Sequence, residues 1–370
     1  MSPNATPEVS IIVPARNEEA CLGACLESLV RQRGIDYEII VVDDASRDRT
    51  GEIARGFSTP PESSESAGID ARPAVTVISA PPLPQNWTGK NNAMAAGAKV
   101  AKGKWLLFTD ADTVHHPESL ARAVEEAERQ RAALLSYSPE QEVRTVFEKA
   151  VMPVIFAELQ TAYPPKRVSD PASPLAAANG QYLLVSRETY DALGGHAEIA
   201  GVLVEDVALA RLVKSSGRKI FFRYGGDALR TRMYRSWPEM KEGWTKNLAS
   251  LFPSPHRLAL ARGLEFILIF GSLLTGVAAL SFERFGPGSI ALFVALVLAA
   301  RAWMRIRRAH FSWVANLLAL PGLGIFTYLL VRSVSARRSG AVSWKGREYR
   351  NLQGKGERES FPTGSAGGLA

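Results

Sequence analysis

The first hundred residues alternate short apolar runs with stretches in which apolar positions recur every three or four residues. Val9–Pro14 reads as a buried strand, and Glu18–Gln32 carries the periodicity of an amphipathic helix. Glu38–Val42, ending on Asp43-Asp44, predicts a second strand, and a helix containing Thr50 follows. The Pro-, Ser- and Glu-rich stretch Ser58–Pro73 predicts a surface loop, residues 58–74. Strand Val75–Ile78, helix Asn91–Lys102 and strand Trp105–Thr109 continue the alternation. Strands alternating with helices predict parallel βαβ units, an α/β domain whose ligands bind at the carboxyl ends of its strands. The acidic clusters Asp43-Asp44 and Asp110-Ala111-Asp112 fall at such ends.

Beyond Phe147 the pattern is less regular. Val151–Tyr163 predicts a short apolar helix, too short to span a bilayer, which suits either a core or a membrane surface. Three apolar blocks follow: Phe266–Phe282, Pro287–Ala300 and Phe311–Val331. The first and third approach the roughly 20 residues of a spanning helix. The second reaches that length only by including Ala302–Met304 past Arg301. The expected organisation is a catalytic domain over 1–250, a membrane domain of two to four apolar helices over 251–335, and a basic, partly disordered tail over 336–370. A helical hairpin inside a soluble core is the alternative. With the catalytic domain in the cytoplasm, three full crossings would put the arginine-rich tail outside, against the positive-inside tendency. Pro321-Gly322 is therefore expected to break the third block into a re-entrant hairpin that keeps the tail inside. The polar N-terminus and the shortness of its first apolar run do not match a secretory signal.

Composition refines this reading. The chain has 370 residues, 46% of them hydrophobic, a net charge of +7 and two cysteines. Cys21 and Cys25 lie four apart in a helical pattern and are read as reduced packing residues, not a disulfide or zinc framework. Arginines gather beside the apolar blocks, at 301, 305, 307 and 308 and again at 332, 337 and 338. That placement favours the cytoplasmic face of a membrane over nucleic acid.

Four short motifs carry candidate chemistry. In WLLFTDADT, Asp110 and Asp112 end an apolar strand, where paired carboxylates can hold a divalent cation that bridges phosphate oxygens. A solvated acidic turn is the alternative. Asp43-Asp44-Ala45-Ser46 supplies acceptors suited to a nucleobase and ribose. Gly89-Lys90-Asn91-Asn92, after Trp87, offers a flexible backbone and a cation at a helix start, where anions are favoured. Glu205-Asp206 opens the amphipathic segment Asp206–Ser215 and is either a helix cap or a general base.

SIIVPARNEE, IIVVDDASRDRT, WTGKNNA, FTDADT and VEDVALARLVKSSG, in that order over residues 9–217, resemble the family 2 inverting glycosyltransferases. PLPQNWTGK, NGQYLLVSRETYDALGGH and the apolar C-terminal region are most similar to the hopene-associated and carotenoid glycosyltransferases. Ceramide glucosyltransferase is more distantly similar, including Trp344-Lys345-Gly346-Arg347-Glu348-Tyr349.

The resemblance implies the GT-A fold, a Rossmann-like nucleotide-diphospho-sugar transferase domain. It implies a nucleoside pocket lined by Pro14, Asn17, Glu18, Asp43 and Asp44, with Lys90 facing the diphosphate. Asp110 and Asp112 would hold Mg2+ or Mn2+, and Asp206 would be the general base with Glu205 beside it. Asn179, Gly180, Gln181 and the Gly194-Gly195-His196 turn would border the acceptor. The implied donor is a nucleotide sugar, a UDP-sugar first, and the acceptor a hopanoid, carotenoid, sphingolipid-like molecule or polyprenyl. The implied location is the cytoplasmic (inner) membrane, multi-pass, with the catalytic domain facing the cytoplasm and no nucleic-acid partner.

One motif departs from the family. Related enzymes often carry Gln/Arg-x-x-Arg-Trp, whereas Arg232-Met233-Tyr234-Arg235-Ser236-Trp237 has one residue too many before the tryptophan. Arg235 and Trp237 are candidates for contacting the leaving diphosphate or the acceptor, with Trp244 as a rival. An interfacial aromatic–basic belt is the other reading, and the departure argues against a processive polysaccharide synthase. A nucleotidyltransferase would show a Gly-rich, basic loop after the first strand, where this chain has acidic ARNEE. An inactive membrane scaffold is the remaining rival.

Overall fold

The computed structural model describes residues 6–58, 73–339, 341–344 and 346–350. The expected loop, apart from its edges, and most of the expected tail lie outside the described residues. In chain order the elements are β1 (Val9–Ala15), α1 (Leu22–Leu29), β2 (Tyr37–Asp43), α2 (Thr50–Ser58), β3 (Val75–Ser79), α3 (Gly89–Val100), β4 (Trp105–Phe108), β5 (Thr113–His115), α4 (Ser119–Gln130) and β6 (Leu134–Ser138). They continue with β7 (Glu140–Gln141), α5 (Val146–Ala162), α6 (Pro165–Ser169), β8 (Leu183–Ser186), α7 (Arg187–Ala192), α8 (Gly195–Glu198), α9 (Glu205–Ser215) and β9 (Ile220–Tyr224). The chain ends with β10 (Leu229–Thr231), α10 (Trp237–Leu251), α11 (Pro255–Ser281), α12 (Phe285–Ile306), a short 3-10 turn (Arg307–Ala309), α13 (Trp313–Arg338) and the strands β11 (Ala341–Trp344) and β12 (Arg347–Arg350).

The chain packs as two units. The first comprises residues 1–138, 169–223 and 349–370, and the second 139–168 and 224–348. The expected boundary at 250 divides the chain differently, because α5 and α10 pack with the apolar C-terminal helices.

In the first unit a seven-stranded sheet runs β3-β2-β1-β4-β8-β6-β9. The run VSIIVPA is apolar but for the hydrogen-bonded Ser10 because β1 is buried on both faces, between β2 (Ile12↔Ile40) and β4 (Ile12↔Phe108), both parallel to it. That half matches the parallel pattern read from the sequence. β8 reverses it, pairing antiparallel with β4 (Leu106↔Val185) and with β6 (Leu135↔Leu184), so the sheet is mixed. The helix expected from Glu18 begins only at Leu22. Its first residues are held in a turn, with Asn17 at φ 51 and the Glu18 N–H donating to Thr50 Oγ1 at 2.7 Å.

The second unit is helical. α5 opens with a capping box in which Thr145 and Glu148 satisfy each other's backbone, and Val151, Val154 and Ile155 along it are fully buried. They pack in one core with Trp244 of α10 and Leu323, Phe326, Leu329 and Leu330 of α13, which places α5 in a core and not on a bilayer surface. α13 runs unbroken through Pro321, which corrects the expected re-entrant hairpin. Proline costs the helix one hydrogen bond, but the next residue compensates. A Cβ at Gly322 would stand 1.8 Å from the Ala150 carbonyl oxygen, so glycine there lets α13 lie directly on α5.

Four charges join three of these helices. Glu158 Oε1 of α5 meets Arg262 Nε of α11 and Arg305 Nε of α12, each at 3.0 Å. Glu265 Oε2 receives Arg262 at 2.5 Å and Arg305 at 2.8 Å. By length and composition, residues Pro255–Ser281, Phe285–Ala309 and Trp313–Arg338 each suffice to cross a membrane.

Candidate active site

The turn after β4 is set by a buried network. Thr109 Oγ1 donates to the Gln181 carbonyl at 2.7 Å, and Thr113 Oγ1 donates to the Asp110 carbonyl at 2.7 Å. The His115 Nε2 lies 3.1 Å and 3.0 Å from these two hydroxyls. Burial, aided by the charge of His116, pushes the His115 imidazole down to about 3, so it serves as a neutral strut. The Cys25 thiol reaches the Asp110 carbonyl at 3.7 Å and is pushed up to about 12, mainly by burial and further by Asp112 and Asp110. It is a packing thiol, as its position in the helical pattern suggested. Threonine, histidine and cysteine thus fix the backbone that presents Asp110 and Asp112.

The loops after β1 and β2 are laced together. The Arg16 guanidinium donates to the Asp44 carbonyl at 2.5 Å, and Asn17 Oδ1 accepts from the Arg47 N–H at 2.9 Å. Asp43 Oδ1 accepts from the Ser46 N–H at 3.0 Å, and Pro14 pairs in register with Val42. Pro14, Asn17, Glu18, Asp43 and Asp44 therefore stand on two adjacent strand ends, with Asp44 buried.

Thr88 caps α3, accepting from the Asn91 N–H at 3.1 Å, and its own N–H donates to the Ala200 carbonyl at 2.8 Å. The fully buried Asn91 donates through Nδ2 to the carbonyls of Ile199, Ala200 and Val202 at 2.8, 2.9 and 3.1 Å. This clip ties the start of α3 to the loop that leads into α9. The result is a charge cluster. Lys90 Nζ, on the first turn of α3, sits 2.7 Å from Asp110 Oδ1 and 2.7 Å from Glu205 Oε1. Burial opposes the lysine's charge, but Asp110 and Glu205 outweigh it and hold the ammonium well above its usual range.

Asp206 Oδ2 accepts from the Gly180 N–H at 2.8 Å, and Oδ1 from the Val207 N–H at 2.8 Å. Burial and the neighbouring Glu205 push its carboxyl up to about 6, with Lys90 pulling the other way. Gly180 is at the centre. A Cβ there would stand 3.2 Å from Lys90 Nζ, 3.3 Å from Glu205 Oε1 and 3.5 Å from Asp206 Oδ2. Gln181 Nε2 reaches Asp112 Oδ1 at 3.5 Å, and Asn179 Oδ1 accepts from the Gln181 N–H at 2.9 Å.

The Gly194-Gly195-His196 turn has a local task. Gly194 and Gly195 adopt φ 75 and 54, and the His196 Nδ1 lies 2.8 Å from the Tyr190 hydroxyl, with the ring edge-on to Phe108. Burial, with the charge of Lys90 adding to it, pushes His196 down to about 3. Arg235 and Trp237 belong to the second unit. The Arg235 N–H donates to Glu239 Oε2 at 2.9 Å, and Trp237 packs edge-on to Phe147.

Among the described residues no group of three or more His, Cys, Asp or Glu side chains is arranged to hold a metal ion. Asp110 and Asp112 fit a hard divalent cation only if other oxygens, such as those of a diphosphate, complete its shell. The motifs located Lys90, Asp110, Glu205 and Asp206. The supporting Thr109, Thr113 and His115 were missed, and Asn91, quoted in the helix-start motif, was not expected to clip a distant loop, because only burial in the fold distinguishes these residues from ordinary polar ones.

Residues 10–183 match the model of the glycosyl transferase family 2. The 4,4'-diaponeurosporenoate glycosyltransferase of Staphylococcus aureus is 25% identical over 353 residues, covering 92% of this chain and 88% of that protein. Among solved structures, the mannosyltransferase PcManGT from Pyrobaculum calidifontis in complex with GDP-Man and Mn2+ superposes with a TM-score of 0.50 at 18% identity, covering 91% of this chain and 88% of the other. The match spans β1 to the start of β8 and includes all of the cluster except Glu205 and Asp206. The chain is a glycosyltransferase that carries a family 2 domain over residues 10–183 and a GT-A-like fold, and it is similar to a carotenoid glycosyltransferase.

Proposed function

We propose that this glycosyltransferase is membrane-anchored and moves a sugar from a nucleoside-diphosphate sugar, a UDP-sugar first, to a lipid-type acceptor with inversion at the anomeric carbon. The observation that carries this reading is the cluster in which Lys90 bridges Asp110 and Glu205 beside Asp206. The laced loops bearing Pro14, Asn17, Glu18, Asp43 and Asp44 suit a nucleoside, and Lys90 suits its diphosphate. Asp110 and Asp112 would hold a divalent cation, Mg2+ or Mn2+, which supplies charge neutralisation for the departing diphosphate when bound.

Asp206 would act as the general base. With its carboxyl near 6 it is mostly ionised at neutral pH yet basic enough to accept an acceptor proton. The Gly180 and Val207 N–H groups hold its two oxygens in place. Glu205, paired with Lys90, would keep the ammonium aimed at the leaving group while the glycosidic bond breaks. Arg235 and Trp237 remain proposed contacts of the diphosphate or acceptor. The lipid acceptor is supported by three helices long and apolar enough to cross a membrane and by the similarity to a 4,4'-diaponeurosporenoate glycosyltransferase.

The test uses purified, detergent-solubilised protein with Mn2+, a panel of UDP- and GDP-sugars and a membrane lipid extract. Release of nucleoside diphosphate that stops with EDTA is the expected result. Asp110→Ala should lower the rate by about 10²–10³, and Asp206→Asn should abolish transfer while nucleotide still binds. Normal turnover by Asp206→Asn would refute the assignment.

A further inference from the structure

The apolar C-terminal helices are not equivalent. Only 11% and 17% of the apolar windows of α11 and α12 are buried within the protein, against 44% for α13. Past Phe270, α11 packs closely on α12. Gly276 and Gly288 bring the two together, since a Cβ would stand 2.7 Å from Leu292 or 2.8 Å from Leu280. Outward they present Leu274, Val277, Ile290, Phe293 and Leu296, all exposed.

This hairpin has a charged base and a charged tip. The base is the network of Glu158, Arg262, Glu265 and Arg305, flanked by the exposed Arg301, Arg307 and Arg308. The tip is Glu283-Arg284, between the exposed Phe282 and Phe285. From Glu265 to the end of α11 at Ser281 the helix rises about 24 Å, and from Phe285 to Arg305 about 30 Å, at about 1.5 Å per residue. A bilayer's hydrocarbon core is about 30 Å thick. The hairpin is thus one bilayer deep, with aromatics at the far interface and arginines at the near one.

α13 is held differently. Its start is tethered to the base by Phe311, two residues before α13, whose ring packs on Phe156 of α5, two residues from Glu158. Its far end is also at the base. Ala249 N–H donates to Ser333 Oγ at 2.9 Å, Arg332 donates to Thr245 Oγ1 at 3.1 Å, and Arg338 meets His256 at 3.3 Å, one residue into α11. These partners lie on α10, which carries Lys241, Glu242 and Lys246, and on the first turn of α11. Between its ends α13 exposes Val314, Leu317, Tyr328 and Val331, a stripe at helical spacing.

We infer that the chain crosses the membrane twice, through the α11–α12 hairpin, and that α13 lies along the bilayer surface with its apolar stripe in the lipid. The end of α13 at Arg338 then lies on the side on which the chain enters α11. The positive-inside conflict disappears without a break at Pro321, because the arginines of the base and of the end of α13 share one side. This inference rests on the membrane-anchored part of the proposed function.

The test is cysteine accessibility in cells expressing the full chain, with Glu283→Cys, Arg308→Cys and Ser339→Cys made singly and probed with a membrane-impermeant maleimide. Glu283→Cys should label in intact cells. Arg308→Cys and Ser339→Cys should label beyond the wild-type Cys21 and Cys25 signal only after the membrane is opened. Labelling of Ser339→Cys in intact cells would mean three crossings, and protection of Glu283→Cys until opening would mean a hairpin that does not cross. Either result overturns the topology while leaving the anchor intact. Alkaline-carbonate extraction separates the two ideas: release into the soluble fraction, alone or with a protein partner, would overturn the anchor and the topology together.

Discussion

Asp206 keeps its carboxylate at a cost in stability. A carboxyl whose folded value is raised to about 6 binds its proton more tightly in the folded state than in the unfolded one. Its contribution is therefore most favourable below the unfolded value and is lost as pH rises from about 4 through 6. Asp206→Asn should be more stable than the wild type above pH 6, by on the order of 1–3 kcal/mol, while losing transfer. Thermal denaturation at pH 5 and pH 8 checks this, the gap between the two proteins widening at the higher pH. In the wild type, kcat/KM should climb with pH through the same region, as the base ionises. Gly180→Ala is the companion substitution: its methyl would crowd the Lys90 ammonium and both acids. It should lower kcat at least tenfold with little change in melting temperature, because these neighbours are side-chain tips that can shift. The charged members of this cluster were legible in the sequence because each stands at a strand end or helix start. The clip made by Asn91 was not, since its three carbonyl partners lie more than a hundred residues away.

At the scale of elements, the strand–helix alternation was readable because its apolar runs are short and cleanly punctuated. The reversal of β8 was not, because LLVS reads alike in either direction. Nor was the partner of α5, whose apolar residues suit a core or a bilayer equally until α13 is seen lying on them. That contact makes a sharp prediction. Gly322→Val would put a branched side chain where even a Cβ stands 1.8 Å from a backbone oxygen, and no rotamer relieves it. The helices must separate, at a cost of about 3 kcal/mol or more, seen as a lower melting temperature of the solubilised protein. Arg305→Leu should be comparably damaging for another reason. It leaves Glu158 and Glu265 in a mostly buried setting with only Arg262 between them, and breaking such a pair costs about 3–5 kcal/mol.

For the whole molecule, the apolar C-terminal region is not an appendage that can be trimmed. Ending the chain at 250 would strip α11 and α13 from α5 and α10, exposing Val151, Ile155, Trp244 and Leu248. Such a truncation should aggregate even in detergent. Replacing only residues 271–297 by a short polar linker should leave a monodisperse protein by size-exclusion chromatography. The second unit is built from two stretches of chain, 139–168 and 224–348, with a piece of the first unit made between them. Ala150 meets Gly322 only in the finished protein. At about 5–20 residues per second on a ribosome, α5 emerges roughly ten to thirty seconds before the helix that covers it. During that interval a nascent chain carries a bare apolar helix, and delivery to the membrane during synthesis, not after it, becomes a condition for folding.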